Sequence, residues 1–356
     1  MKEQRLSNIE LLKILAVFGV IVMNYIRGDI GGAISFAADL PVNFLAASWV
    51  ESIFSVGVNI LMLISGYLVC QTYTKSLWKP IKLIIQVIIF NGALFIVSCL
   101  LKHTPLTLKA AAENLLPGNY FVLIYIAVYV LSPFINVLLD KLSQKQFKIL
   151  LIAGGLMFSA FEIIANISEN IAGVPFTGFS FIGISGGQAG YTVVNFLFMY
   201  LIGAYMRKYN PIKLKSRWLL LIFLGNTVIM VVWALVDTSL GLKVTAWNFC
   251  SPLVIVNAVL IFAVFERIKM KKSPVINKLA ESIFTAFLLH ITLLQFFEIE
   301  KFAVRNVGIM LLHMLATSVA VYMICWLVYL IYSFFTNLIY RAIEKKHKLI
   351  FIDLNR

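Results

Sequence analysis

Apolar residues run along this chain in long blocks separated by short polar loops. The blocks predict helical spans near residues 9–27, 49–72, 80–101, 119–139, 147–165, 190–206, 217–236, 247–265, 280–298 and 307–335. Blocks of roughly 18 mostly apolar residues are long enough to cross a hydrocarbon core of about 30 Å as a helix. The bilayer interior offers the backbone no water, so a crossing segment must bond its own N–H and C=O groups, as a helix does. The blocks are too long and too continuous for the alternating strands of a membrane barrel. The predicted fold is all-α: a polytopic integral membrane protein of about ten transmembrane helices. No long linker, low-complexity tract or clear internal repeat divides it, so residues 1–356 read as one domain.

Composition agrees with that pattern. The chain is 61% hydrophobic and 13% charged, and a soluble domain of this length needs more polar surface to cover itself. The net charge of +14 raises nucleic acid as a partner, but the basic residues sit in short loops between apolar blocks. They read as topology signals that also face anionic lipid headgroups, which excludes nucleic acid and leaves the lipid bilayer as the partner. Of the 30 Lys and Arg, only Arg27, Lys102, Lys109, Lys243, Lys301 and Arg305 fall on one side. The other side receives the rest, from Lys2, Arg5 and Lys13 through Arg207-Lys208 and Lys271-Lys272 to Lys348 and Arg356. The positive-inside rule makes that side cytoplasmic, with both termini on it. The apolar stretch ending near Ile26 carries Glu10 and Lys13 and lies well before Ser35-Phe36-Ala37, so it reads as a retained first helix rather than a signal peptide.

Three outer segments, 28–48, 102–118 and 166–189, are long. The third contains Gly183-Ile184-Ser185-Gly186-Gly187-Gln188-Ala189-Gly190, which has neither the lysine nor the preceding strand of a phosphate loop and reads as a flexible loop. Cys70, Cys99, Cys250 and Cys325 form no CxxC pair and read as buried small hydrophobes. His103, His290, His313 and His347 have no metal-ligand spacing, so no metal site is expected.

Ionisable groups inside a membrane are expensive, which makes each a functional candidate. Glu10 and Lys13 are three residues apart and can pair on one face of the first span. Asn24 lies eleven residues beyond Lys13, nearly on the same face and about 16 Å further along. The stripe Glu10, Lys13, Asn24 is either a functional face or an ion pair and an interfacial amide that only pack. His290 lies mid-span and is either a core histidine bonded to a neighbouring helix or a proton-handling group. His313 reads as structural. Glu51 and Glu162 sit near outer helix ends, where they either line a vestibule or are simply solvated. Lys75, Lys79 and Lys82, with Pro80 among them, are either topology signals or an electropositive mouth for a phosphorylated, coenzyme-A-like donor.

At these residues the sequence resembles the integral-membrane acyltransferase-3 family of bacterial O-acyltransferases. Arg5-Leu6-Ser7-Asn8-Ile9-Glu10-Leu11-Leu12-Lys13 is similar to the family's first-helix start, and Val58-Asn59 through Gly66-Tyr67 to its second-helix signature. Asn119-Tyr120-Phe121 through Ser132-Pro133-Phe134, Gly190-Tyr191 through Gly203-Ala204-Tyr205, and Ser282-Ile283-Phe284 through Leu289-His290 resemble later motifs in the family's order.

The resemblance implies a multi-pass enzyme of the bacterial cytoplasmic membrane. It would move an acyl group, usually acetyl from acetyl-CoA, to a hydroxyl of a cell-envelope or lipid-linked glycan. No bound cofactor is implied; acyl-CoA is the donor substrate, and glycan-assembly proteins are candidate partners. The family's hallmark in the first helix is a basic residue, ten intervening residues, then a histidine. Here those positions hold Lys13 and Asn24. An amide cannot take a proton at neutral pH, so the base must be another group, and His290 is the candidate. Lys13 would orient the donor or pair with Glu10, Asn24 would polarise the acyl carbonyl, Lys75, Lys79 and Lys82 would meet the donor, and Glu10, Glu51 and Glu162 would meet substrate. The alternative is a non-catalytic transporter-like or partner module on the same scaffold, which the Asn24 replacement favours and the expected lack of broken helices disfavours.

Overall fold

Each apolar block becomes helical in a computed structural model, which describes residues 6–27, 31–102, 107–109, 112, 120–174, 188–346 and 351–354. Lys2, Arg5, His103, Asn119, Gly183 to Gly187, His347, Lys348 and Arg356, singled out in the sequence, lie outside the described residues. Among the described residues, eight helical segments are long and apolar enough to cross a membrane, and Pro252–Glu266 is a shorter apolar helix. The chain divides into two compact units, one of Met1–Leu68 with Ser143–Ile331 and one of Val69–Leu142 with Tyr332–Arg356.

The first unit begins with α1 (Ser7–Ile26), α2 (Ala33–Phe36), α3 (Pro41–Phe54) and α4 (Gly57–Val69), the last ending at the unit boundary. After the second unit's segment come α7 (Gln144–Gly155), a π-turn (Leu156–Ala160), α8 (Phe161–Ala172), α9 (Val193–Tyr209) and α10 (Ser216–Ser239). It closes with α11 (Pro252–Glu266), α12 (Pro274–Leu279), α13 (Ile283–Leu294), α14 (Ile299–Ala303) and the start of α15 (Val307–Lys346). The second unit holds β1 (Thr74–Ser76), α5 (Trp78–Lys102), α6 (Tyr120–Lys141), the end of α15 and β2 (Phe351–Asp353).

Three expectations change. The outer segment 28–48 is partly helical, because Pro41 starts α3 at the one helical position where its missing N–H is not needed. The segment 166–189 begins as helix, and α8 stops only at Gly173, whose φ of 70° no side chain adopts easily. Third, two spans are redrawn: turn residues Ser55 and Val56 separate α3 from α4 within the apolar segment Pro41–Val69, and 247–251 belongs to the connection between α10 and α11 rather than to the expected span 247–265. There Pro252 sets the start of α11 and drives Ser251 to ψ 131°, outside the helical region.

α1 is buried almost all round in the first unit, with Ile9, Leu12, Val17, Val20 and Ile21 inaccessible, and packs on α3, α11, α12 and α13. α10 is different: Leu221, Leu224, Ile229 and Val232 are half exposed, as a lipid-facing stripe requires. α4 and α9 cross at paired glycines. A methyl group on Gly66 would strike the Tyr200 carbonyl oxygen, and one on Gly203 the Leu63 carbonyl oxygen. Small residues let membrane helices approach this closely.

Hydrogen bonds tie the helix ends together in two sets. At one end Ser7 bonds Asn277 (3.1 Å), the Asn8 amide donates to the Phe265 carbonyl (2.9 Å), and Arg207 reaches the Tyr67 hydroxyl (3.3 Å). At the other, the Asn43 amide donates to the Ala303 carbonyl (2.8 Å) and the Asn170 amide to Lys243 (2.8 Å). In the second unit β1 and β2 pair antiparallel, Thr74 opposite Asp353, Lys75 opposite Ile352 and Ser76 opposite Phe351. That ladder requires an even number of crossings between the two strands.

Candidate functional site

α1 runs without interruption from Ser7 to Ile26, so Lys13 and Asn24 keep their spacing of about 16 Å along the axis. Val17, Val20 and Ile21 are buried between them. Lys13 Nζ meets Glu10 Oε1 at 2.9 Å, three residues back, while Asn24 joins a different partner.

That partner is His290, on α13, 1% exposed. Its Nδ1 lies 2.9 Å from the Phe287 carbonyl oxygen and 3.0 Å from that of Ala286. Carbonyl oxygens only accept, so Nδ1 carries the proton and Nε2 keeps its lone pair. Asn24 Nδ2 sits 3.2 Å from that Nε2 and 2.9 Å from the Val20 carbonyl oxygen. Turning the amide over would set its oxygen against the Val20 oxygen, so both N–H bonds of Asn24 are committed as donors. The result is a buried imidazole nitrogen whose lone pair accepts from the half-buried Asn24 amide. Tyr25, the next residue on α1, bonds His313 Nδ1 at 2.8 Å, and that ring stacks on Phe302. His313 is therefore held by that hydrogen bond and by ring packing.

One residue past the end of α1, Arg27 pairs through Nε with Glu51 Oε1 and donates through Nη2 to the Trp247 carbonyl (3.3 Å). Its guanidinium also lies over the Trp247 ring, 5.7 Å from the centroid. Glu51 is fully buried on α3, and among the described residues its Oε2 has no hydrogen-bond partner. Glu162 is likewise fully buried; Ser159, Glu162 and Asn166 make one inward stripe, with the Ser159 hydroxyl on the Cys250 carbonyl at 2.6 Å. Glu51 and Glu162 thus belong to buried networks around residues 245–251, and Glu10 does not.

In the second unit Lys75 and Lys79 stand over the Tyr129 ring at 4.9 and 5.1 Å. Lys82 stands over the Tyr340 ring at 5.0 Å and the Trp78 ring at 5.7 Å. Lys75 is 7% exposed, in the middle of β1. Cation–π attraction to these rings holds the three ammonium groups in place.

A family model described as an acyltransferase domain matches residues 6–332. The chain belongs to that family. No curated protein and no solved structure shows a significant match. In this membrane acyltransferase Asn24, on the first helix, meets an imidazole supplied by α13. Acyl transfer needs a group to take the proton of the attacking hydroxyl and a donor for the developing oxyanion. His290 Nε2 and Asn24 Nδ2 have those two capacities side by side. Sequence reasoning also passed over polar residues that the fold draws into buried networks. Arg27 counted only as an outer cation, because its partner Glu51 lies 24 positions away. Asn59, Asn195 and Asn257 are completely buried amides, and an amide inside an apolar block was the available signal.

Proposed function

We propose that the protein transfers an acyl group, acetyl first among the candidates, from a cytoplasmic acyl-CoA to a hydroxyl of a cell-envelope or exopolysaccharide glycan in the bacterial cytoplasmic membrane. The contact between Asn24 and His290 carries this reading. The acceptor hydroxyl displaces the Asn24 N–H from Nε2 and attacks the acyl carbonyl, giving its proton to Nε2. The released Asn24 N–H donates to the carbonyl oxygen as charge builds there. Collapse of the tetrahedral intermediate breaks the C–S bond, and the departing thiolate takes the proton back from Nε2–H. Lys75, Lys79 and Lys82 hold the donor's phosphates as point charges, since lysine lacks arginine's bidentate fork. Lys13 keeps Glu10 neutralised at the cytoplasmic end of α1.

The test is a deletion strain whose surface polysaccharide is examined by NMR for lost O-acyl groups. Wild-type protein restores them and His290→Ala does not, although it inserts normally. A second reading, a non-catalytic conduit on this scaffold, draws on the interruption at Ser55–Val56, since broken helices commonly hold transported solutes. That reading expects His290→Ala to leave the O-acyl content unchanged.

A further inference from the structure

The short ladder of the second unit alternates cleanly. In β1, Lys75 is buried between half-buried Thr74 and Ser76; in β2, Ile352 is half-buried between exposed Phe351 and Asp353. Lys75 and Ile352 stand directly opposite each other. Directly opposite residues of an antiparallel pair share one face, so Ile352 lies beside Lys75 on the inward side. There Lys75 Nζ stands 4.9 Å from the Tyr129 ring centre. The Lys75 side chain is thus enclosed between α6 and β2, and the residue is only 7% exposed. Lys79, by contrast, is exposed and Lys82 half-buried.

A covered ammonium cannot meet a phosphate. Of the three lysines, Lys79 and Lys82 are open to a donor in this structure, and Lys75 opens only when β2 leaves. Leaving costs β2 little. Beyond the ladder it is tied by the Thr74 hydroxyl on Asp353 Oδ1 (3.0 Å) and by Leu354 N–H on the Tyr73 carbonyl (3.3 Å). Its outer face, Phe351 and Asp353, is exposed. A two-stranded pair is marginal by itself, and segments with exposed backbone bonds open locally at low free energy. The end of α15 is better anchored, because Tyr340 packs edge-on against Trp78 at 5.9 Å and stands 5.0 Å from Lys82 Nζ. The strand can therefore lift while the helix before it stays in place.

We propose that β2 is a releasable strap over Lys75. With the strap paired, the donor meets Lys79 and Lys82; with it lifted, Lys75 joins them as a third phosphate contact. Donor binding and strap closure then oppose each other through one lysine. This rests on the reading of these lysines as the donor's phosphate site.

The test uses the full chain in lipid nanodiscs and two readings. Acetic anhydride labels accessible lysines, and mass spectrometry compares Lys75 with Lys79 in the same protein. Calorimetric titration gives the Kd of acetyl-CoA. Ile352→Pro removes an N–H and the inward side chain from the strap. It should raise Lys75 labelling about fivefold or more relative to Lys79. It should also tighten acetyl-CoA binding about fivefold, a gain that disappears when Lys75→Gln is added. Asp353→Ala breaks only the Thr74 bond and should move both readings the same way by less, even if Ile352→Pro fails to fold. Ile352→Val keeps the strand and should move neither. Unchanged Lys75 labelling in Ile352→Pro and Asp353→Ala, or tighter binding that survives Lys75→Gln, overturns the strap. Raised labelling with unmoved acetyl-CoA affinity overturns it too, and wild-type affinity in the double variant Lys79→Gln with Lys82→Gln would then place the fault in the donor reading.

Discussion

Asn24 Nδ2 stands 3.2 Å from His290 Nε2, on a ring whose other nitrogen already faces the Ala286 and Phe287 carbonyls. If the imidazole is the base and the amide the oxyanion donor, removing either should cost at least about 10²-fold. His290→Ala should lower acyl transfer by about 10²–10⁴-fold, the usual span for a general base. Asn24→Ala should lower it by about 10²-fold, as for one oxyanion donor. Transfer rates in isolated membranes, normalised to protein inserted, measure both. Equal rates for His290→Ala and wild type would remove the base from this position.

Neutralising the lysine platforms should act on the donor alone. With Lys75, Lys79 and Lys82 all changed to Gln, the apparent KM for acyl-CoA should rise tenfold or more while the acceptor KM stays put. Raising salt should weaken wild-type donor affinity in the same direction, because exposed charge attraction is screened. An unchanged donor KM would leave these residues as topology signals and ring partners only.

Arg27 and Glu51 should show the behaviour of a pair in which one member is wholly buried. Arg27→Met strands the Glu51 carboxylate and should destabilise the protein by about 3 kcal/mol, read as a lower thermal midpoint in detergent. The double variant Arg27→Met with Glu51→Gln should recover most of that loss. A double variant no better than Arg27→Met would mean that the buried charge is not the cause.

The glycine crossing gives a packing test with an internal control. Gly203→Ala presses a methyl group into the Leu63 carbonyl oxygen and should destabilise by about 1–3 kcal/mol. Gly225→Ala, with nothing within 4 Å of the added carbon, should be neutral or better. Thermal midpoints of the two proteins in the same detergent decide between them.

Orientation is checked with single cysteines at Val174 and Lys215, both exposed. An impermeant thiol reagent applied to intact cells should label the first and spare the second. Reaction at both would reverse or break the topology drawn from the basic loops.

The helices were legible because one physical demand, backbone self-sufficiency in hydrocarbon, writes itself as long apolar blocks. The expected sidedness rests on the sequence alone, where lysine and arginine collect at particular loops. The stripe on α1 was also visible, but it suggested one site where the structure has two, Lys13 with Glu10 and Asn24 with His290. Period places residues on a face and says nothing of which neighbour meets each one. The irregular stretch before Pro252 was missed because Trp247, Phe249 and Cys250 count as apolar whatever their backbone does. The ladder between β1 and β2 was missed because three-residue strands joined over such a distance leave no period to read.

The π-turn at Leu156–Ala160 bears on how this enzyme can change. Each residue of a helix turns the chain by about 100°, and the wide turn takes up about one residue more than an ordinary turn over the same rotation. Ser159 lies within it, and Glu162 and Asn166 just beyond it face the buried side. Deleting one residue within Leu156–Ala160 would convert it to an ordinary helical turn and leave those side chains facing inward. A one-residue deletion in the regular turns of α7 has no such relief and would swing everything after it by about 100° toward lipid, so the wide turn is where this helix can change length without rotating the interior.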